Sequence, residues 1–150
     1  MAGLLPLPPL ADPRTWPGLL LYAATVLLEA ESESPRGQVA VAWVIRNRMD
    51  AQGDGIVQVC LAPRQFSAWN ADYAGPRAAR LAAIAPASWE AAWRAASLAY
   101  WRLEADPTGG ALFYLNPAAT RAGRRLGDLP AWYDAARVTL VEGRHEFLVA

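Results

Sequence analysis

The sequence has no lysine: all fourteen basic residues are arginine, and fourteen acidic residues cancel them. A balanced chain offers no field to gather nucleic acid or an anionic membrane, so neither is expected as a partner. The missing lysine reads as genome composition or thermal habitat and carries little more, because thermophile proteins do not generally avoid Lys. Cysteine is almost absent. One thiol, Cys60, cannot close an internal disulfide. Its neighbours in "IVQVCLAP" place it in a core, with no cation or base beside it to activate it. A single histidine, His145, argues against a metal site, and no cofactor is expected. Long apolar runs are also missing, since "GLLLYAATVLL" is too short to span a bilayer. The opening "MAGLLPLPPLADPRTW" lacks a basic n-region and carries Pro6, Pro8 and Pro9 in its apolar part, so it does not read as a signal peptide. The expectation is a soluble monomer made in the cytoplasm without its own export signal and without stable membrane insertion.

What is present is apolar and aromatic. The 150 residues are 54% hydrophobic and include seven Trp, enough for one domain with a substantial core rather than a disordered chain. Residues 1–14 read as an irregular Pro-rich leader, and 15–150 as the folded domain. Thr15 is expected to cap a first helix reaching Ser32. Ser34 is expected to cap a second, with Pro35 at its first position. "DAQGDG" at 50–55 reads as a loop, followed by a short helix at 56–61 and an irregular aromatic segment at 62–76. Helices are expected at 77–85 and 88–104, the second capped by Ser88, with "DPTGG" breaking the chain at 106–110. The period then changes. "ALFYLN" at 111–116 reads as a strand, and 137–150 as two alternating runs joined at Glu142 and Gly143. The expected fold class is α+β, mainly helical, a single domain with a small late sheet.

Three glutamates punctuate the first helix end. Glu29 and Glu33 are four apart and share a face if the helix continues, while Glu31 points elsewhere, toward solvent. Glu29 follows Val26, Leu27 and Leu28, and the next helix opens with "GQVAVAWV". A carboxylate packed between two such helices loses water, which favours its protonated form. A proton held near neutral pH is what a general acid needs.

The same stretch carries a resemblance. "EAESESPRGQVAVAWVIRNRM" resembles the opening motif of the SleB/CwlJ-type cell wall hydrolases, the spore-cortex-lytic enzyme family, at Glu29, Ala30, Glu33, Gly37, Gln38, Val39, Ala40, Val41, Asn47 and Arg48. It departs at Glu31 and Ser32, where the family tends to have Arg and Gly. "APRQFSAW" resembles the family's second block at Gln65, Phe66, Ser67 and Trp69. "GGALFYLNP" resembles the third at Tyr114, Asn116 and Pro117. "PAWYDAARVTLVEGRHEFL" resembles the closing pattern at Trp132, Gly143, His145 and Phe147. The blocks occur in family order. The resemblance implies a lysozyme-like fold related to lytic transglycosylases, and cleavage of the peptidoglycan glycan strand between MurNAc and GlcNAc. It also implies Glu29 as the catalytic acid. Glu33, Gln65, Ser67, Trp69, Tyr114, Asn116 and His145 are the candidate substrate-binding residues, and no residue is assigned to a metal.

Glycoside cleavage commonly uses two carboxylates, and this sequence offers one well-placed acid. Glu33 lies too close to Glu29 to serve as nucleophile, and Asp72 lacks a motif match. A substrate-assisted route through a 1,6-anhydro sugar is therefore expected, with a water-using muramidase and a non-catalytic wall-binding or virion module as alternatives. Trp69 and Tyr73 are candidates for stacking on sugar, although core packing is the better expectation for any single aromatic in so Trp-rich a chain, and Trp89, Trp93 and Trp101 are assigned to packing. "RAGRR" at 121–125 reads as a solvated loop. A compact chain without export signal suggests a phage or prophage endolysin that reaches the wall through a holin pore.

Overall fold

The computed structural model of the chain describes residues 12–63, 65, 66, 69, 76–123 and 128–150, the side chains of 76–78 excepted. Six helices precede or interrupt a three-stranded sheet among these residues: α1 Gly18–Ala30, α2 Pro35–Gln52, α3 Ile56–Cys60, α4 Pro76–Ala83, α5 Pro86–Tyr100 and α6 Pro117–Ala122. The strands are β1 Phe113–Leu115, β2 Val138–Glu142 and β3 His145–Leu148, antiparallel in the order β1-β3-β2. The mainly helical α+β single domain expected from the sequence is what forms. Most of the leader, 1–11, lies outside the described residues.

α1 is apolar nearly all round because it is the central helix, with Leu20 to Leu27 buried. α5 offers it Ala92, Ala95, Ala96 and Ala99, all close to fully buried, and small side chains let two backbones approach. α2 is sandwiched. Val39, Trp43, Ile45 and Met49 join the helical core. Ala40, Val41 and Val44 pack with Ala30, Ala111 and Phe147 in a second, smaller core beneath the sheet. Two buried faces explain why α2 reads as apolar beyond one stripe.

Several boundaries differ from expectation for local reasons. Thr15 does not cap the first helix. It ends a 3-10 turn, Pro13–Thr15, with its hydroxyl bonded to the Asp12 carbonyl at 2.7 Å, and α1 begins after Pro17. α1 stops at Ala30 rather than Ser32. Pro35 drives Ser34 into an extended conformation, and the Glu33 N–H closes a turn on the Ala30 carbonyl at 3.0 Å. Ser34 does cap α2, accepting from the Gly37 N–H at 3.1 Å. α2 runs through Gln52, into the segment read as loop, and ends on left-handed Gly53, φ 70°.

Ser88 does not cap α5. Pro86 takes the first helical position, which makes Ala85 the cap residue. α5 ends at Tyr100 rather than 104, because Arg102 turns the chain with φ 53° while its guanidinium reaches Asp50 at 2.6 Å. Trp101 therefore falls off the buried face and is 62% exposed, so its assignment to packing is corrected; Trp89 is buried and Trp93 packs at the core edge. α6 was not among the expected helices, and its end takes in Arg121 and Ala122 of the segment expected as a solvated loop; Asn116 before Pro117 is a cap followed by a first-turn proline, and Asn116 Oδ1 accepts from the Ala119 N–H at 3.0 Å. The hairpin turn sits one residue later than expected, at Gly143 and Arg144.

Candidate active site

The site begins with how α2 holds the sheet. At the end of α2, Asn47 Nδ2 donates to the Ala111 carbonyl at 3.0 Å, and Arg48 Nε donates to the Leu112 carbonyl at 2.7 Å. The Arg48 guanidinium lies 5.0 Å over the Phe66 ring and 5.9 Å over that of Phe113. Asp106 completes the anchor. Its carboxylate accepts from the Thr108 N–H and hydroxyl, the Gly110 N–H and Asn47 Nδ2, all within 2.7–2.9 Å. Burial pushes its pKa up, but bonds from Thr108, Asn47 and Gly110 outweigh this and hold the carboxyl below its usual value. Asn47 and Arg48 thus act as hooks that fix the entry to β1.

β1 then delivers Tyr114. It pairs with Phe147 of β3, and their rings stack at 5.7 Å. The Tyr114 hydroxyl donates to Glu29 Oε2 at 2.8 Å, at the last turn of α1. Burial, then the charge of Glu29 and the hydrogen bond to it, push the Tyr114 phenol well above its ordinary pKa. The phenol therefore stays protonated and remains a donor. Burial lowers the Arg48 pKa, and Tyr114, Cys60 and Glu29 work in the opposite direction.

A cleft of about 500 Å³ opens over this contact, lined by Glu29, Ser32, Glu33, Ser34, Asn116, Gly143, Arg144 and His145. Glu33 sits in the turn between α1 and α2, so it reaches the cleft without sharing a continuous helix with Glu29. His145 Nδ1 and Glu33 Oε1 are 3.0 Å apart, with side chains only 14% and 13% exposed. His145 also meets the Tyr114 ring edge-on at 5.5 Å. Gly143, at φ 58°, packs against the other oxygen of Glu33: a Cβ there would lie 2.7 Å from Oε2. Glu31 points away, bonded to Arg80 at 3.0 Å.

The fold thus brings Glu29, Glu33, Asn116 and His145 to one cleft, with Tyr114 directly against Glu29. It does not bring Gln65 or Trp69 to the lining described. Gln65 is exposed, and its backbone N–H bonds to Ala62. Trp69 donates through Nε1 to Thr25 Oγ1 at 3.0 Å and meets Trp16 edge-on at 6.0 Å, half-buried against the helical core. Ser67, Asp72 and Tyr73 lie outside the described residues. Ser32, Ser34 and Arg144 line the cleft without having been singled out for it. Ser34 was legible only as a cap, and Arg144 only as the spacer in the Gly-x-His pattern. Among the described residues, no group of three or more His, Cys, Asp or Glu is placed to hold a metal ion, and no helix is long and apolar enough to cross a membrane.

Fold and site together define a mainly helical domain with a carboxylate-bearing cleft between a helix end and a β-hairpin. A family model described as Cell Wall Hydrolase matches residues 32–148, and the chain belongs to that family, whose enzymes act on peptidoglycan. The match takes in Glu33, Tyr114, Asn116 and His145 and begins just past Glu29. No curated protein and no solved structure matches the chain.

Proposed function

We propose that this chain is a peptidoglycan lytic transglycosylase in which Glu29 is the general acid and then the general base. The observation that carries this reading is the Tyr114–Glu29 hydrogen bond at the cleft. A fixed phenol donor holds one carboxylate oriented toward the space where a glycan would lie. Glu29 gives its proton to the glycosidic oxygen as the bond from muramic acid C1 breaks, and the bonding pair leaves with that oxygen. The C6 hydroxyl of the same muramic acid attacks C1 and returns its proton to Glu29. The products are a 1,6-anhydro-muramic end and a free GlcNAc hydroxyl, with no water consumed.

The second reading is a hydrolytic muramidase, favoured by Glu33, which places a second carboxylate in the cleft. The engagement of Glu33 weighs against it. One oxygen faces His145 and the other is packed against Gly143, which suits a buttress better than a base that must orient water. Mass spectrometry of muropeptides released from purified peptidoglycan separates the two. Anhydro ends are expected, and reducing ends throughout would establish the hydrolase.

A further inference from the structure

Successive residues of β1 face opposite ways. Tyr114 serves the cleft of Glu29, and Phe113 looks to the other side of the sheet. On that side a second cleft of about 500 Å³ is floored by Phe113 and Leu148, and its edge carries Trp132, Asp134 and Arg137. Trp132 is 46% exposed, whereas Trp16, Trp43 and Trp89 are buried. Its ring stacks on Phe113 at 5.2 Å with 26° between planes. Neighbouring Tyr133 donates to Glu146 Oε1 at 2.6 Å, which ties the loop to β3. Arg137 and Asp134 stand at the edge, their side chains 3.7 Å apart and each more than half exposed.

We propose that this cleft is a second, non-catalytic binding site for amino-sugar polysaccharide, an inference that rests on peptidoglycan as substrate. A flat indole braced from behind and open in front suits the apolar face of a pyranose ring. The exposed guanidinium and carboxylate offer partners for hydroxyls, acetamido groups and the carboxylates of stem peptides. Trp132 covers one face of Phe113, and the part of its ring left exposed stands in the cleft beside Asp134 and Arg137. The cleft lies across the sheet from Glu29, so it does not lengthen the catalytic groove. It holds a neighbouring strand of the network, which raises the effective concentration of substrate at the catalytic cleft.

The test is co-sedimentation with insoluble peptidoglycan in a Glu29→Gln background, where binding is read without digestion. Trp132→Ala is expected to lower the retained fraction about tenfold, as loss of one of two linked sites does. Trp132→Phe, which keeps an aromatic face, restores most of it. In the Glu29-containing chain, Trp132→Ala slows digestion of whole sacculi but leaves turnover of short soluble glycan fragments unchanged. Unchanged retention, or an equal loss on short fragments, overturns the proposal. A second measurement does not depend on the Ala variant folding. Chitotetraose is titrated into the unaltered chain while the Trp132 indole N–H resonance is followed, assigned by its loss in Trp132→Phe. A shift supports the site and a static signal overturns it. Failure of the catalytic reading appears in the digestion products and leaves both binding measurements standing.

Discussion

The Tyr114 hydroxyl donates a 2.8 Å hydrogen bond to Glu29 Oε2, joining residues 85 apart in sequence. The Asn47 and Arg48 hooks at the entry to β1, the Phe147 ring behind Tyr114 and the turn that ends α1 position that contact. Tyr114→Phe removes the donor and keeps the buried ring. A hydrogen bond to a charged group contributes about 1.5–3 kcal/mol, so kcat is expected to fall about 10- to 100-fold and Tm to drop by several degrees while the chain stays folded. Steady-state turnover of peptidoglycan by the variant checks this, and a kcat within twofold of the parent contradicts it.

Gly143 answers two demands at once. Its φ of 58° favours a residue without Cβ, and a Cβ would meet Glu33 Oε2 at 2.7 Å. Gly143→Ala is expected to cost about 1–2 kcal/mol from the backbone alone and to displace Glu33 from His145. Thermal melts should show the loss of stability, and turnover should fall with it. An unchanged melt would mean that the turn relaxes freely.

Asp106 predicts a response to acid. Its folded pKa is depressed below 3.8, so the unfolded state binds the proton first as pH falls. The stability it contributes is present above pH 3.8 and is lost as pH falls through the folded value. Asp106→Asn places an amide donor among donors from Asn47, Thr108 and Gly110. The variant is expected to be about 1 kcal/mol less stable at neutral pH and to lose less on acidification, as urea melts at neutral and acid pH would read.

Cys60 predicts a response to alkali. Burial pushes its pKa from 9.0 up to about 12. The folded state keeps the proton in that window while the unfolded state releases it, so stability present below pH 9 is lost as pH rises toward 12. The buried phenols of Tyr22 and Tyr114 are raised by burial too and push the same way. The native thiol is therefore expected to be inert to a thiol reagent at pH about 8 and to react on unfolding. Rapid native modification would contradict its burial.

The sequence was most informative where one residue type has one local use. Ser34 before Pro35, the Gly143 turn and the alternation of β2 and β3 announce themselves. Proline moved two of the boundaries that were missed: Pro35 shortened α1 and Pro86 displaced the Ser88 cap. The meeting of Glu29, Glu33, Asn116 and His145 was legible through the order of the motif blocks, whereas their spacing in sequence said nothing of it. Trp69 shows the limit of such reading. A motif tryptophan looks the same whether it faces a sugar or a core, and the Thr25 bond and the Trp16 contact place this one against the core.

The central claim is that Glu29 carries the proton. The most direct measurement is digestion of purified peptidoglycan by the parent chain and by Glu29→Gln, with circular dichroism to confirm that both fold. The account predicts anhydro-ended muropeptides from the parent and at least a 100-fold slower release from the variant, in line with the roughly 10²–10⁴-fold that general acid–base catalysis supplies. A folded Glu29→Gln chain that digests peptidoglycan at the parental rate would contradict it and leave Glu29 as the polar end of a helix.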